Sequence, residues 1–409
     1  MRDVAIVGAG MTRFGKFLDR GLKDLAKEAV EGALASAGID KSALQVAVVG
    51  NAAAGLVTGQ EMVRAQVVLR EIGIGGIPMV NTENACASSS TAFQLAWLYV
   101  ASGMYDVGLA LGMEKLYHED KRRSFAAIGA AVDVELMQKV IAQMQTDQMD
   151  KVERGASKSG AGQSRSLFMD IYAALARNHM RRYGTTKEQF ARVAVKNHLN
   201  GSLNPHAQYR ERYTLQEILD SPLVAEPLTR LMCSPIGDGA AAVVLCAGEK
   251  ARQFTTKPVW VKASTLGSGQ DHGPDEPGIS ERVAKAAYEM SGIGPDEIDI
   301  AEVHDASAPA ELILYEELGF CAPGEGGRLI ESGYVTLEGK LPINTSGGLI
   351  AKGHPVGATG VAQIYEVFLQ LRGEAGDRQV RGAKVGLTEN GGGMVRNEAA
   401  ATSVHILSV

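Results

Sequence analysis

A cysteine at the start of a predicted helix is the first residue of this sequence with the chemistry of a nucleophile. Cys86 stands in NACASSS, between an extended apolar run and a helix opened by small residues. Unpaired N–H groups and the positive end of the helix dipole favour a thiolate there, so we expect a lowered pKa for Cys86. Lone cysteines are commonly buried and inert, so its role depends on what the fold brings next to it.

Two histidines follow predicted strands in the second half of the chain. His354 lies in a glycine-rich strand-to-helix turn, and an imidazole has a suitable pKa to accept the proton of Cys86. His304 ends a strand in EVHDAS, where α/β proteins place ligand sites. It is a candidate donor to a substrate carbonyl, as half of an oxyanion hole. Either histidine alone is more often structural, so the hypothesis rests on their coming together.

Glycine-rich segments around these residues supply candidate contacts for a substrate. Glu389 precedes three glycines in LTENGGG and is a candidate acid or base. Glycines leave backbone N–H groups open to a ligand. The candidate substrate contacts are Gly391 and Gly392 beside Glu389, and Ser346 and Gly347 in the turn before His354.

The elements that position these residues occur twice. Strands and helices alternate in the first 111 residues, which indicates an α/β fold with a largely parallel sheet. Residues 24–50 resemble residues 281–304, and IPMVNT at 77–82 resembles LPINTS at 341–346. Two copies of a unit of about 120 residues predict a pseudo-twofold pair of halves. In such a pair the Cys86 turn meets the turn that carries His354.

Two other segments have a less specific interpretation. Near the N-terminus, Gly8-Ala9-Gly10 is expected to end the first strand; no third glycine or following helix completes a dinucleotide fingerprint. Residues from about 115 to 235 are helical and charged, which predicts an insertion over the core. Its methionines either line an adaptable pocket or fill an ordinary core. They are Met137, Met144, Met149, Met169 and Met180.

Composition excludes several classes of protein. The 409 residues suffice for two domains and an insertion, and a net charge of −6 argues against non-specific nucleic-acid binding. The four cysteines lack metal-ligand spacing, so no metal site is predicted. Few cysteines and no secretory signal favour the cytoplasm. No apolar run approaches the roughly 18 residues of a membrane span, so no membrane association is predicted.

These motifs resemble those of the thiolase superfamily, specifically its sterol-carrier-protein-2 type. NACASSS is similar to the nucleophilic-cysteine motif, HDAS takes the place of the histidine–aspartate motif, and GGLIAKGHPVGATG is the most specific match. The resemblance implies a five-layer α-β-α-β-α core of two duplicated βαβαβαββ halves with an inserted helical loop domain. It divides the chain into an N-terminal half (1–119 and 236–250), a loop domain (120–235) and a C-terminal half (257–409).

The resemblance also implies an activity and partners. Thiolases cleave a 3-oxoacyl-CoA with CoA, or run the reverse Claisen condensation, through an acyl group on the nucleophile that Cys86 matches. CoA is then a substrate, and no cofactor is tightly bound. Among the basic residues of the insertion, Arg181 and Arg182 are candidates to meet the phosphates of CoA or a substrate carboxylate. The implied partners are a second copy in a homodimeric core and a small zinc-ribbon/OB-fold protein that helps hold CoA. Relatives act on short, branched, steroid-side-chain or aromatic acyl groups, benzoylsuccinyl-CoA among them.

One position departs from the family pattern. Ordinary thiolases have a second cysteine near the C-terminus, whereas this chain has Glu389 there and no cysteine after Cys321. Ala306 stands where some relatives have a cysteine in the histidine–aspartate motif. Glu389, then His304, is the candidate replacement. The alternatives are a condensation-only acyltransferase, a retro-aldolase, against which the intact Cys86 motif weighs, and a non-catalytic acyl-CoA or lipid-binding protein.

Overall fold

The computed structural model describes residues 1–138, 166–273 and 276–409, and Met144 and Met149 lie outside these ranges. The strands are β1 (Val4–Met11), β2 (Val46–Gly50), β3 (Met79–Thr82), β4 (Val107–Glu114), β5 (Leu223–Ala225), β6 (Leu228–Thr229), β7 (Gly239–Ala247), β8 (Val259–Ser268), β9 (Ile300–Glu302), β10 (Val385–Gly392) and β11 (Ala401–Ser408). The helices are α1 (Leu22–Ala37), α2 (Ala54–Thr58), α3 (Arg64–Glu71), α4 (Ser88–Ala101), α5 (Lys121–Gly129), α6 (Leu167–Tyr183), α7 (Lys187–Leu203), α8 (Leu215–Asp220), α9 (Ala251–Phe254), α10 (Ile279–Ser291), α11 (Ala308–Glu317), α12 (Gly326–Glu331), α13 (Gly348–Ala351) and α14 (Thr359–Arg372).

Nine strands form one sheet in the order β3-β2-β4-β7-β1-β8-β11-β10-β9. The two halves meet where Ala5 and Ile6 of β1 pair with Trp260 and Val259 of β8. Outward from this junction the halves correspond strand by strand, although an isolated bridge at Ile343 stands in place of a counterpart to β3. Only β2–β3, β2–β4 and β9–β10 are parallel among the described pairs. The expectation of a largely parallel sheet is therefore wrong, because the four central strands pair antiparallel.

Three buried apolar clusters define five layers. Helices α1 and α3 cover the outer face of the N-terminal strands, and α10 and α11 cover the outer face of the C-terminal strands. Between the two sets of strands lie α4 and α14, with Phe93 and Phe368 fully buried. Burying one such side chain contributes about 1.5–3 kcal/mol, so this central layer holds the two halves together. The predicted α-β-α-β-α layering of duplicated halves is confirmed.

Gly8 and Gly10 lie within β1 and do not end it. A Cβ on Gly8 would lie 2.4 Å from the carbonyl oxygen of Ala33, and one on Gly10 would lie 2.3 Å from that of Ala29. These glycines therefore allow α1 to approach the strand closely. The prediction that they end the strand is wrong, since a glycine needed for close packing looks the same in sequence as a turn glycine.

The predicted repeat is visible in matching local geometry. Helix α1 ends at Gly38 with φ 65°, and α10 ends at Gly292 with φ 68°, a left-handed conformation that glycine adopts without strain. A short 3₁₀ turn follows each, at Lys41–Ala43 and Pro295–Glu297. Strands β2 and β9 come next, so each half delivers the strand that leads to its share of the site.

The segment between β4 and β7 contributes α5 to α8 and the hairpin β5–β6. Helix α7 begins with a reciprocal capping box of Thr186 and Gln189, and its buried Phe190 joins the outer cluster of the C-terminal half. None of the helices in the described ranges combines the length and apolar character that a bilayer span requires. The predicted boundaries of this insertion stay a prediction.

Candidate active site

Cys86 lies in the short turn between β3 and α4. Ser88 closes this turn: its hydroxyl accepts from the N–H of Asn84 at 3.0 Å and donates to the carbonyl of Ala85 at 2.6 Å. Ala85 adopts a left-handed φ of 48°. The Sγ of Cys86 then lies 3.3 Å from Nε2 of His354. The two turns predicted to meet at the pseudo-twofold axis do so.

The hydrogen bonds of His354 assign its tautomer. Its Nδ1 lies 2.7 Å from Oγ1 of Thr359, and that hydroxyl donates to the carbonyl of Pro355 at 3.1 Å. Since the hydroxyl proton is committed to Pro355, Nδ1 carries a proton and donates to Thr359. The lone pair of the neutral ring is therefore on Nε2, which faces Cys86. His354 is held as a proton acceptor for the thiol.

Burial keeps both partners neutral at rest. It raises the pKa of Cys86 to about 12, and the carboxylates of Glu114 and Glu83 add to the shift. Backbone N–H groups of Cys86 and Gly393 oppose this shift without reversing it. Burial also holds the pKa of His354 well below its usual value. The expected lowering of the Cys86 pKa is therefore wrong, because desolvation outweighs the helix start. Proton transfer to His354 must accompany attack on the substrate.

His304 faces the same point as a hydrogen-bond donor. Its Nδ1 accepts from Nδ2 of Asn390 at 2.9 Å, which leaves the proton of the neutral ring on Nε2. Asn390 is oriented in turn by the hydroxyl of Ser90, which donates to its Oδ1 at 2.9 Å. Burial lowers the pKa of His304 to about 4, so the ring stays uncharged. Its centroid lies 5.2 Å from that of His354, with the rings nearly perpendicular.

Glu389 joins this group as a protonated acid. Its Oε2 accepts the backbone N–H of His304 at 3.0 Å, and its side chain lines the same cavity. Burial raises the pKa of Glu389 to about 8, and the bond from His304 opposes the shift. A carboxyl group with this pKa carries a proton at neutral pH and can give it to a carbanion. The four predicted catalytic residues thus line one cavity.

The cavity has a volume of about 770 Å³ and is mainly apolar. The insertion contributes aromatic and aliphatic walls, including Phe168 and Tyr172, while the glycines after Glu389 form another side. A Cβ on Gly392 would lie 2.1 Å from the carbonyl of Asn84, so this glycine lets β10 touch the turn that carries Cys86. Gly391 has room beside it and lines the cavity as predicted.

Two predicted substrate contacts, Ser346 and Gly347, lie beneath the cavity and do not line it. Ser346 is fully buried and donates its hydroxyl to Glu302 at 2.5 Å. Gly347 is buried where a Cβ would lie 2.6 Å from Cα of Gly201, and its φ is 97°. Neither lines the cavity, because the turn before His354 is packed under the site. Arg181 and Arg182 are exposed at the end of α6, outside the cavity wall, and their contact with CoA phosphates stays a prediction.

Several supporting residues were not assigned roles from the sequence. Buried Glu114 accepts the N–H groups of Ala53 and Gly357, and so ties the turn after His354 to the N-terminal half. Buried Asp305 accepts the N–H of Leu349 at 2.6 Å at the start of α13. Thr359 and Asn390 could have been found as polar residues inside the histidine and glutamate motifs.

Cys86, His304 and His354 also bring together the donor atoms of a metal site. Sγ of Cys86 and ring nitrogens of His304 and His354 lie within 4.8 Å of one another. A thiolate and two imidazoles are ligands that Zn²⁺ accepts. Such an ion would occupy the atoms that the nucleophile and its base need, so it would compete with the substrate.

Comparison with known proteins gives consistent matches over the whole chain. The family models described as "Thiolase, N-terminal domain" and "Thiolase C-terminal domain-like" match residues 4–249 and 278–408. An acetyl-CoA acetyltransferase of Methanothermobacter thermautotrophicus is 41% identical over 413 residues, covering 100% of both chains. Sterol carrier protein 2 of Bos taurus is 38% identical over 95% of this chain and 69% of its own. A solved structure described as "Ltp2-ChsH2(DUF35) aldolase" is 27% identical, with a TM-score of 0.79 and coverage of 100% and 98%.

Proposed function

This chain belongs to the thiolase family of acyltransferases, and on that premise we propose that it cleaves a 3-oxoacyl-CoA with CoA, or runs the reverse condensation, through an acyl group on Cys86. The observation that carries the proposal is the 3.3 Å contact between Sγ of Cys86 and Nε2 of His354. Thr359 fixes the tautomer of His354 in which Nε2 is the proton acceptor. The contact between Sγ and Nε2 is therefore that of a nucleophile with its base.

The first half-reaction forms the acyl enzyme. As Sγ of Cys86 attacks the 3-oxo carbon, Nε2 of His354 takes its proton, and backbone N–H groups of Cys86 and Gly393 hold the oxyanion. Collapse breaks the bond between the 2- and 3-carbons, and its electron pair passes to the departing enolate. Nε2–H of His304 stabilises the enolate oxygen, and the carboxyl proton of Glu389 goes to the 2-carbon. A shorter acyl-CoA leaves.

The second half-reaction releases the acyl group to CoA. The carboxylate of Glu389 takes the thiol proton of CoA, and the new thiolate attacks the carbonyl carbon of the thioester on Cys86. The bond from that carbon to Sγ breaks, and protonated His354 returns a proton to the leaving sulfur. Glu389 thus serves first as an acid and then as a base. It takes over the two tasks of the second cysteine that this chain lacks.

The test is a product assay with a panel of linear, branched and aromatic 3-oxoacyl-CoA esters, benzoylsuccinyl-CoA among them. The apolar volume and aromatic wall support branched or aromatic acyl groups. Free CoA should convert at least one ester to two acyl-CoA products detected by mass spectrometry. No product from any ester, with or without a partner protein, would contradict the proposal.

A second candidate is retro-aldol cleavage of a 3-hydroxyacyl-CoA. The aldolase among the similar structures and the glutamate in place of a cysteine favour it. In that reaction a base removes the hydroxyl proton, the bond between the 2- and 3-carbons breaks, and the enolate is protonated. Cys86 has no covalent part in these steps. A Cys86→Ala protein that still cleaves the hydroxy ester, but performs no thiolysis, would select this candidate over the first.

For assembly we propose a cytoplasmic homodimer that works with a small zinc-ribbon/OB-fold protein. The name of the aldolase structure, which pairs Ltp2 with a DUF35 protein, supports such a partner. Light scattering on the chain alone, and the product assay with and without a co-expressed partner of that type, test the two parts. A monomer in solution would contradict the proposed homodimer, and full activity without the partner would contradict the proposed need for a partner.

A further inference from the structure

One face of α11 lines the cavity and leads away from His304. This helix begins four residues after His304, and its cavity-lining residues are Ala310, Ile313, Leu314 and Glu317. Spacings of three and four place these side chains on one face. The helix rises about 10 Å over these seven residues. The face is apolar until its last member, which is an acid.

Glu317 is an acid that the mechanism above does not use. Burial raises its pKa to about 7, the carboxylates of Glu281, Glu316 and Glu398 add to the shift, and a hydrogen bond from Ser280 opposes it. In the described ranges, no lysine or arginine forms an ion pair with Glu317. A carboxyl group in a cavity without a paired cation is costly to keep, which marks it as a binding-site candidate.

The two acids at this end of the cavity, Glu398 and Glu317, differ in their partners. Glu398 lines the same end of the cavity, but Arg282 binds it at 2.9 Å and His272 at 3.1 Å. Its charge is therefore committed to these partners. Glu317 also lines this wall, and its hydrogen-bond donor is Ser280 at the start of α10. The carboxylate of Glu317 therefore offers an acceptor to a ligand in the cavity.

We propose that Glu317, held by Ser280, binds a hydroxyl group at the far end of the acyl chain. The proposal rests on the proposed function, since it assigns the acyl group to this arm of the cavity. A hydroxyl donates to the carboxylate of Glu317, which also accepts from Ser280, so all three groups are satisfied. A terminal methyl offers Glu317 no hydrogen bond beyond the one from Ser280. A terminal carboxylate meets the negative charge of Glu317.

The test measures binding in the Cys86→Ala protein, where no acyl transfer follows. Matched medium-chain 3-oxoacyl-CoA esters of equal length, ending in a methyl or a hydroxyl, are titrated calorimetrically. The hydroxyl ester should bind about 10-fold more tightly, as expected for a buried hydrogen bond to a charged group. Adding Glu317→Leu should abolish or reverse this ratio, and Glu317→Gln should keep part of it. Glu331→Leu, an exposed glutamate on α12, is the matched control and should leave the ratio unchanged.

Equal affinity for the two esters at every chain length, or no binding of either, would overturn the inference. So would a Glu317→Leu change that weakens both esters alike, because that result describes a structural acid. The proposed function is judged separately, by products formed with Cys86 intact. A protein that converts methyl-ended esters without preferring hydroxyl-ended ones keeps the function and loses the inference.

Discussion

The two turns that meet at the site differ in length and in what surrounds them. The N-terminal turn has five residues between β3 and α4 and presents a half-buried Cys86 to the cavity. The C-terminal turn runs from the bridge at Ile343 to α14, contains α13, and keeps His354 in a fully buried segment. One turn exposes the reactive atom. Its counterpart provides the environment that fixes the base.

Buried polar contacts beneath the C-terminal turn explain its greater length. Glu302 accepts the N–H of Ser346 at 3.0 Å as well as its hydroxyl, and Nζ of Lys352 lies 3.4 Å from the same carboxylate. Asp305 caps α13. Fully satisfied buried networks rigidify the groups they hold, whereas partly satisfied ones are costly. The C-terminal turn is thus the rigid support of the site, and the N-terminal turn is the short loop that carries the sulfur.

Of the substitutions that test this difference between the turns, removing the sulfur of Cys86 should have the largest effect on turnover. Cys86→Ala should lower thiolytic turnover by at least about 10⁴-fold, because the proposed acyl intermediate forms on Sγ of Cys86. The melting temperature should stay within a few degrees, since the N-terminal turn is closed by Ser88 and not by the thiol. Product formation and circular dichroism check both parts. Thiolysis at an unchanged rate would show that the short turn is not the reactive one.

Replacing the acid should have the next largest effect and should depend on pH. Glu389→Gln should lower turnover about 100-fold, the contribution of a positioned acid or base. With a pKa of about 8, Glu389 donates below pH 8 and loses its proton above it, so the wild-type carbanion step should slow as pH rises through 8. Turnover profiles of the two proteins check this. An unaltered rate in the variant would return the role to His304 or to water.

The same substitution should stabilise the protein at higher pH. The folded pKa of Glu389, about 8, lies above its unfolded value of about 4.3, so the folded state binds the extra proton. Stability therefore falls as pH rises between these values, and Gln, which does not ionise, escapes the loss. The melting temperature of Glu389→Gln should exceed that of the wild type at pH 8 by more than at pH 5. A constant difference would contradict the assigned pKa.

Disturbing the support of the base should have the smallest effect. Thr359→Val removes the partner of Nδ1 on His354 but leaves the ring in place, so turnover should fall about 10-fold through loss of the correct tautomer. Thr359→Ser should restore most of the activity. Thr336→Val, at a half-buried threonine whose hydroxyl donates to the carbonyl of Gly333, is the matched control. A loss in the serine variant with full activity in the valine variant would mean that the methyl group and not the hydroxyl positions His354.

The difference between the two turns also explains which features of the site could be predicted from the sequence. The proximity of Cys86, His304 and His354 was predictable, because their motifs carry chemistry and the repeat places two turns together. The pKa of Cys86 was missed, since desolvation depends on the whole cavity and not on the helix start. The burial of Ser346 could not be predicted, because a polar residue beneath a site and one facing it have the same local sequence. Glu317 had a weaker signal, an acid ending the apolar face of a helix.

The acyl group on Cys86 is the most direct measure of the central claim. The wild-type protein is incubated with a 3-oxoacyl-CoA that it turns over, free CoA is left out, and the digested peptides are weighed by mass spectrometry. The account predicts the mass of the acyl group on the peptide that contains Cys86, and its loss when CoA is added. Product formation with Cys86 unmodified, together with full activity of Cys86→Ala, would contradict it.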